Sequence, residues 1–156
     1  MKLLKVKPYE QKLSDMCGPA ALKMVLDFFG LEKTERELIK ACRASHKDGT
    51  EAENIVKAVE KYVMRGVIKN FADFDDIKKH LSQSRPIIVN WFSKDDGHYS
   101  VFVGLDRQNI FLQDPEIGGI RKMKRQDFFR IWFDFPGLYL KDKDDLIVRR
   151  LIVIYP

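Results

Sequence analysis

The stretch QKLSDMCGPAAL, residues 11–22, places a cysteine directly before a glycine and a proline at the start of a helical pattern. Downstream, Ala21, Leu22, Val25, Leu26 and Phe29 recur at helical spacing, and Gly30 supplies a stop. Proline is accepted in a first helical turn, because its missing N–H would have no partner there anyway. Cys17 therefore belongs at the N-terminal edge of this helix. Unpaired backbone N–H groups and the positive end of the helix dipole favour an anion at that point. For a cysteine the anion is the thiolate, which is the nucleophilic form. Taken alone, the stretch fits a small buried cysteine in a tight turn equally well.

Working outward, the first half reads as helical. Residues 34–44, TERELIKACRA, open with the capping-box pair Thr34 and Glu37 and put Leu38, Ile39 and Cys42 on one face. Cys42 is thus expected in the core. Residues 49–66, GTEAENIVKAVEKYVMRG, read as a third helix capped by Thr50, with Ala52, Ile55, Val56, Val59 and Val63 inward. Residues 73–84 form a fourth, capped near Asp73 and ended before Pro86.

The second half changes period. RPIIVNWF (85–92), HYSVFVGLD (98–106) and NIFLQDP (109–115) read as strands, the last two as a hairpin turning at Asp106–Asn109. GGIRKMKR (118–125) reads as a further strand, RQDFFRIWFD (125–134) as a short helix and DLIVRRLIVIYP (145–156) as one final strand. Helices first and antiparallel strands second make an α+β fold.

The 156 residues fit one domain, spanning 1–156. Hydrophobic residues make up 45% and charged residues 33%, an ordinary globular composition. No run reaches the ~18 apolar residues of a membrane helix. The start MKLLKVKPYEQ lacks the apolar region and cleavage site of a signal peptide, which favours the cytoplasm. The net charge of +5 comes from scattered residues interleaved with Asp and Glu. The densest cluster, RKMKR at 121–125, has no interleaved aromatics, so a solvated surface is expected and no nucleic-acid partner. With only Cys17 and Cys42 and no CxxC, free thiols are expected and no structural zinc site.

A reactive thiolate needs a base. His46 lies in a polar loop and His80 on the polar side of its helix, so both read as surface residues. His98 follows Gly97 at the mouth of a strand, where His98, Ser100, Phe102 and Gly104 share one face and Tyr99, Val101 and Val103 the other. Counting outward from the hairpin turn brings the region of Asp114 opposite that of His98, where its carboxylate can hold one ring nitrogen while the other faces Cys17. An Asp-Pro pair also simply forms turns. Gln11, six residues ahead of Cys17, offers a side-chain N–H that can join the Cys17 backbone N–H in binding an oxyanion.

Gln11, then DMCGPAAL, then GHYSVFVGLD, then LQDP form a set that resembles the C39 peptidases, a papain-like cysteine peptidase family. The resemblance runs from about Val6 to Phe133, and GT at 49–50 and FFRIWF at 128–133 share it. It implies a papain-like fold, with an N-terminal helical half carrying the cysteine and a C-terminal antiparallel sheet carrying His and Asp. By position, it implies Cys17 as nucleophile, His98 as base and acid, Asp114 as its orienting partner and Gln11 in the oxyanion hole. No metal or organic cofactor is implied. The implied partner is a peptide or protein substrate, a leader peptide among the candidates. Transporter-linked members cut leader peptides after a double glycine, and this chain is more similar to the free-standing C39-like proteins. An acyltransferase on the same fold, or an idle peptide-binding module, would carry the same pattern. The double glycine at 118–119 is expected to be a turn.

Overall fold

The computed structural model describes residues 2–94 and 96–156. Helices α1 (Cys17–Phe28), α2 (Glu35–Ala41) and α3 (Ala52–Glu60) come first. Strand β1 (Arg65–Lys69) and helix α4 (Phe74–Ser82) follow. Next come β2 (Ile87–Ser93), β3 (Asp96–Leu105), β4 (Asn109–Asp114) and β5 (Gly119–Lys124). Helix α5 (Arg125–Ile131), β6 (Phe133–Asp134), β7 (Ile147–Val148) and β8 (Arg150–Tyr155) complete the order.

The main sheet has six strands in the order β1-β8-β2-β3-β4-β5, and every pairing is antiparallel. The α+β expectation holds, but the two halves interleave. β1 is built from the first half of the chain, and the last strand, β8, inserts between β1 and β2. Both faces of the sheet are covered. Leu22, Val25, Ile55 and Val59 from α1 and α3 pack with Tyr99, Val101, Val103, Ile152 and Ile154 on one face. Ile77 of α4 and Phe128 of α5 pack with Trp91, Phe102, Leu112, Leu151 and Val153 on the other. Strand alternation explains this division: successive side chains of β8 feed opposite cores.

Several local expectations meet corrections. The third helix stops at Glu60, and Val63 is 91% exposed with φ 61° rather than inward. The chain has to reverse there so that β1 can pair with β8. Thr50 does not cap α3; Glu51 holds that position without a side-chain cap, and the Thr50 side chain packs against Gly18 instead. The final run is two strands, not one. Arg149, at φ 45°, breaks it, so β7 pairs with β6 while β8 enters the main sheet. The alternation along β3 also fails at Gly104. A bulge between Phe102 and Gly104 pairs Gly104 with Phe111 and turns it to the α1 side, against Leu3.

The capping box at Thr34–Glu37 forms as expected, and the cap expected near Asp73 forms as a capping box with Asp76. The β3–β4 hairpin turns where expected, with Asp106 accepting N–H bonds from Gln108 at 2.8 Å and Asn109 at 2.7 Å. Among the described residues no helix is long and apolar enough to cross a membrane.

Candidate active site

Cys17 is the first residue of α1, and Met16 in the N-cap position provides no side-chain cap. The first turn contains no acidic residue. The positive helix end is thus left without a side-chain anion of its own, beside the Cys17 sulfur. The sulfur is half-buried and accepts the backbone N–H of Tyr99 at 3.4 Å, which ties α1 to the start of β3. Gly18 has a packing reason: a Cβ there would lie 2.6 Å from the Thr50 side chain. Gly97 has one too, since its Cβ would run into the Asp134 carboxylate.

His98 is buried, opposite Trp91 of β2, whose ring meets the imidazole edge-on at 5.5 Å between centroids. Trp91 is itself fixed by its Nε1–H, which donates to Ser100 Oγ at 3.0 Å. His98 Nε2 lies 2.5 Å from Asp114 Oδ1. The pairing of Val101 with Gln113, continued by one residue, sets Asp114 opposite Ser100. His98 is then its diagonal neighbour on the same face, within reach of a long side chain.

Asp114 is fully buried, and each of its oxygens is engaged. Oδ1 also accepts the Glu116 backbone N–H at 3.0 Å, and Oδ2 accepts Arg121 Nε–H at 2.5 Å. Burial alone pushes a carboxyl up, but the bond and charge of His98, with the hydrogen bonds from Arg121 and the Glu116 N–H, outweigh it and hold Asp114 below its ordinary range. The same competition acts on His98. Burial pulls the imidazole down, but its bond to Asp114 and the nearby Cys17 and Asp114 charges win and raise it above its ordinary value. Since Nε2 is taken by Asp114, Nδ1 is the nitrogen left for the thiol.

Gln11 is joined to this cluster through the main chain: its N–H donates to the Pro115 carbonyl at 2.8 Å. Its side-chain Nε2 donates to the Leu13 carbonyl at 3.1 Å, and its Oε1 is buried with no partner among the described residues. The loop is anchored by Glu35, which accepts from Tyr9 Oη at 2.9 Å and Lys12 N at 3.0 Å.

The remaining candidates separate cleanly from this cluster. His46 is exposed, 3.6 Å from Asp15. His80 is half-buried rather than at the surface, and burial lowers its pKa. Cys42 is fully buried, and burial pushes its thiol up to about 12. His98, Asp114 and Glu116 bring ligand atoms within 4.8 Å of one another. Arg121 already occupies one Asp114 oxygen, and its fixed positive charge opposes a cation there.

Sequence reasoning missed Arg121, Trp91, Glu116 and Glu35. Arg121 sat inside a basic run that read as solvated. The available signal was alternation: the β5 register puts it on the same face as Asp114.

A family model described as the Peptidase C39 family matches residues 5–141. An uncharacterized protein of Methanothermobacter thermautotrophicus is 33% identical over 122 residues, covering 78% of this chain and 80% of its own. The solved peptidase domain of Streptococcus ComA, a bi-functional ABC transporter involved in quorum sensing, superposes with a TM-score of 0.78 at 22% identity, covering 97% of this chain and 98% of its own. A double glycine motif protease from an AMS/PCAT transporter, solved in complex with the leader peptide, gives a TM-score of 0.72 at 19% identity, covering 99% and 94%. The fold shared with these domains is papain-like.

Proposed function

Because the chain belongs to the Peptidase C39 family, we propose that it is a cysteine peptidase whose reacting groups are Cys17, His98 and Asp114. One observation carries the reading: a buried histidine gripped by a buried carboxylate through Nε2, at the start of the strand whose next residue, Tyr99, donates its N–H to the sulfur of a helix-start cysteine. A packing cysteine has no use for such a neighbour.

In this reading the Cys17 proton passes to His98 Nδ1, giving a thiolate and an imidazolium. The thiolate attacks the peptide carbonyl carbon. A C–S bond forms, and the C=O electron pair moves onto oxygen. Collapse of this oxyanion breaks the C–N bond, and His98 gives its proton to the departing amine. Water then attacks the thioester with His98 accepting a proton, the C–S bond breaks, and the carboxylic acid leaves as Cys17 is restored. Asp114 keeps the ring aimed throughout. The Cys17 N–H and the Gln11 side-chain N–H serve the oxyanion. To take that role the Gln11 amide has to leave the Leu13 carbonyl to which it donates.

The substrate class is a peptide or protein. Because a protein of the same fold holds a leader peptide, double-glycine leader peptides are the first substrates to try. The test is mass-spectrometric cleavage of a peptide panel that includes such leaders. The chain is expected to cut at least one member, and Cys17→Ala and His98→Ala none. Undiminished cleavage by either variant would sink the assignment.

A further inference from the structure

Strand β5 carries Arg121, Lys122 and Lys124, and they do not face the same way. Arg121 and Met123 are half-buried, while Ile120, Lys122 and Lys124 are exposed. The register pairs Asp114 with Gly119 and Leu112 with Arg121, so Arg121 is the diagonal neighbour of Asp114 on one face. Its Nε–H reaches Asp114 Oδ2 at 2.5 Å, and its guanidinium lies 5.8 Å from the centre of the Trp91 ring. Trp91 in turn abuts His98. Arg121 thus touches both groups that hold the histidine.

The chemistry of the buried carboxylate gives this contact its meaning. Asp114 has no solvent exposure, and a charge in such a place is costly unless paired. His98 pairs with it as a full charge only while protonated. Whenever His98 gives up its proton, the carboxylate would be left with neutral partners alone. A guanidinium stays charged at every working pH and binds carboxylate oxygens directionally. Among the described residues, the charged or titratable groups facing the pair are Cys17 from α1, Glu116 from the turn after β4, with Oε2 3.7 Å from His98 Nε2, and Arg121 from β5. From β2, uncharged Trp91 faces the pair.

We propose that Arg121 is a positioning residue of the site: it keeps Asp114 ionised and aimed at His98 Nε2 through both protonation states of the histidine. This rests on the reading of Cys17, His98 and Asp114 as the reacting set. The guanidinium repels the imidazolium and shares the carboxylate that attracts it. Both effects loosen the hold of His98 on its proton, so that the ring is able to release it to a leaving amine.

The direct test is the NMR titration of His98 in a Cys17→Ala chain, where no thiolate contributes. Adding Arg121→Met is expected to move the titration to higher pH by about one unit. Arg121→Lys, which keeps the charge, is expected to move it much less. An unchanged titration in the folded Arg121→Met chain, or an equal shift with Lys, overturns the proposal. Should the Met variant not fold, Arg121→Gln keeps a donor without the charge and is expected to give the same upward shift, with no shift overturning the proposal. The peptidase reading fails separately, through a Cys17 that alkylates like a free thiol in the unmodified chain.

Discussion

The two cysteines occupy opposite ends of neighbouring helices. Cys17 opens α1, half-buried, with His98 beside it. Cys42 follows α2 as its C-cap, has no solvent exposure, and its N–H is bonded back to Leu38. At the helix start, dipole and free N–H groups favour a thiolate; at the helix end, the carbonyl side of the dipole opposes one. Burial adds to this at Cys42, where the Lys61 charge lowers the thiol less than desolvation raises it. In the proposed reading, the same side chain serves chemistry in one place and packing in the other. The difference lies in the surroundings that the fold assembles, not in the residue.

The widest separation expected between the two sites is in turnover. Cys17→Ala should drop peptide cleavage to background, a loss of about 10⁴-fold or more. Cys42→Ala should stay within about twofold of the unmodified chain, because it touches no reacting group. Equal losses in a steady-state assay would erase the distinction. Gln11→Ala comes next. Removal of one oxyanion donor should lower kcat by about 10²–10³ with little change in KM. An unchanged kcat would assign that loop a structural role only.

Asp114→Asn should cost about 10² in kcat, since an amide oxygen still orients the ring but brings no charge. Its pH profile sharpens the point. The folded pKa of His98 is raised, so the imidazolium is fully present below the ordinary histidine value and is lost as pH rises through the raised one. Without the Asp114 charge that loss should begin at lower pH, and the alkaline limb of the rate profile should move down. The smallest effect concerns Cys42. Cys42→Ala should cost about 1 kcal/mol in urea unfolding, from the lost buried sulfur. Because burial raises the thiol, its contribution to stability is full below the ordinary thiol range and is lost as pH rises toward about 12. The Ala variant should lack that share of the alkaline loss.

Much of this was legible along the chain. Periodicity gave α1, the caps at Thr34 and near Asp73 gave α2 and α4, and the hairpin count brought Asp114 to His98. These are local patterns or short-range register, where side-chain spacing decides the outcome. What stayed hidden depends on long-range pairing. Arg65–Lys69 forms a strand only because β8 arrives from the far end of the chain. Arg149 breaks the last strand because its side chain is drawn to the Ala72 carbonyl and its N–H to that of Trp132. The bulge that turns Gly104 depends on Leu3, which packs against that glycine from the start of the chain. Within the site, the Cys–His–Asp grouping followed from motif and register, whereas Arg121 was masked by its basic neighbours. The donor direction of Gln11 could not be read from spacing, because an amide in a loop takes whichever carbonyl its backbone presents.

The most direct measurement is the rate of iodoacetamide alkylation at each cysteine of the folded chain across pH, resolved by peptide mass spectrometry. Cys17 should react well below the pH at which a free thiol ionises and should lose that advantage in His98→Ala, while Cys42 stays unmodified until the chain unfolds. A Cys17 that reacts with the pH dependence of free cysteine, indifferent to His98→Ala, would contradict the assignment of this site.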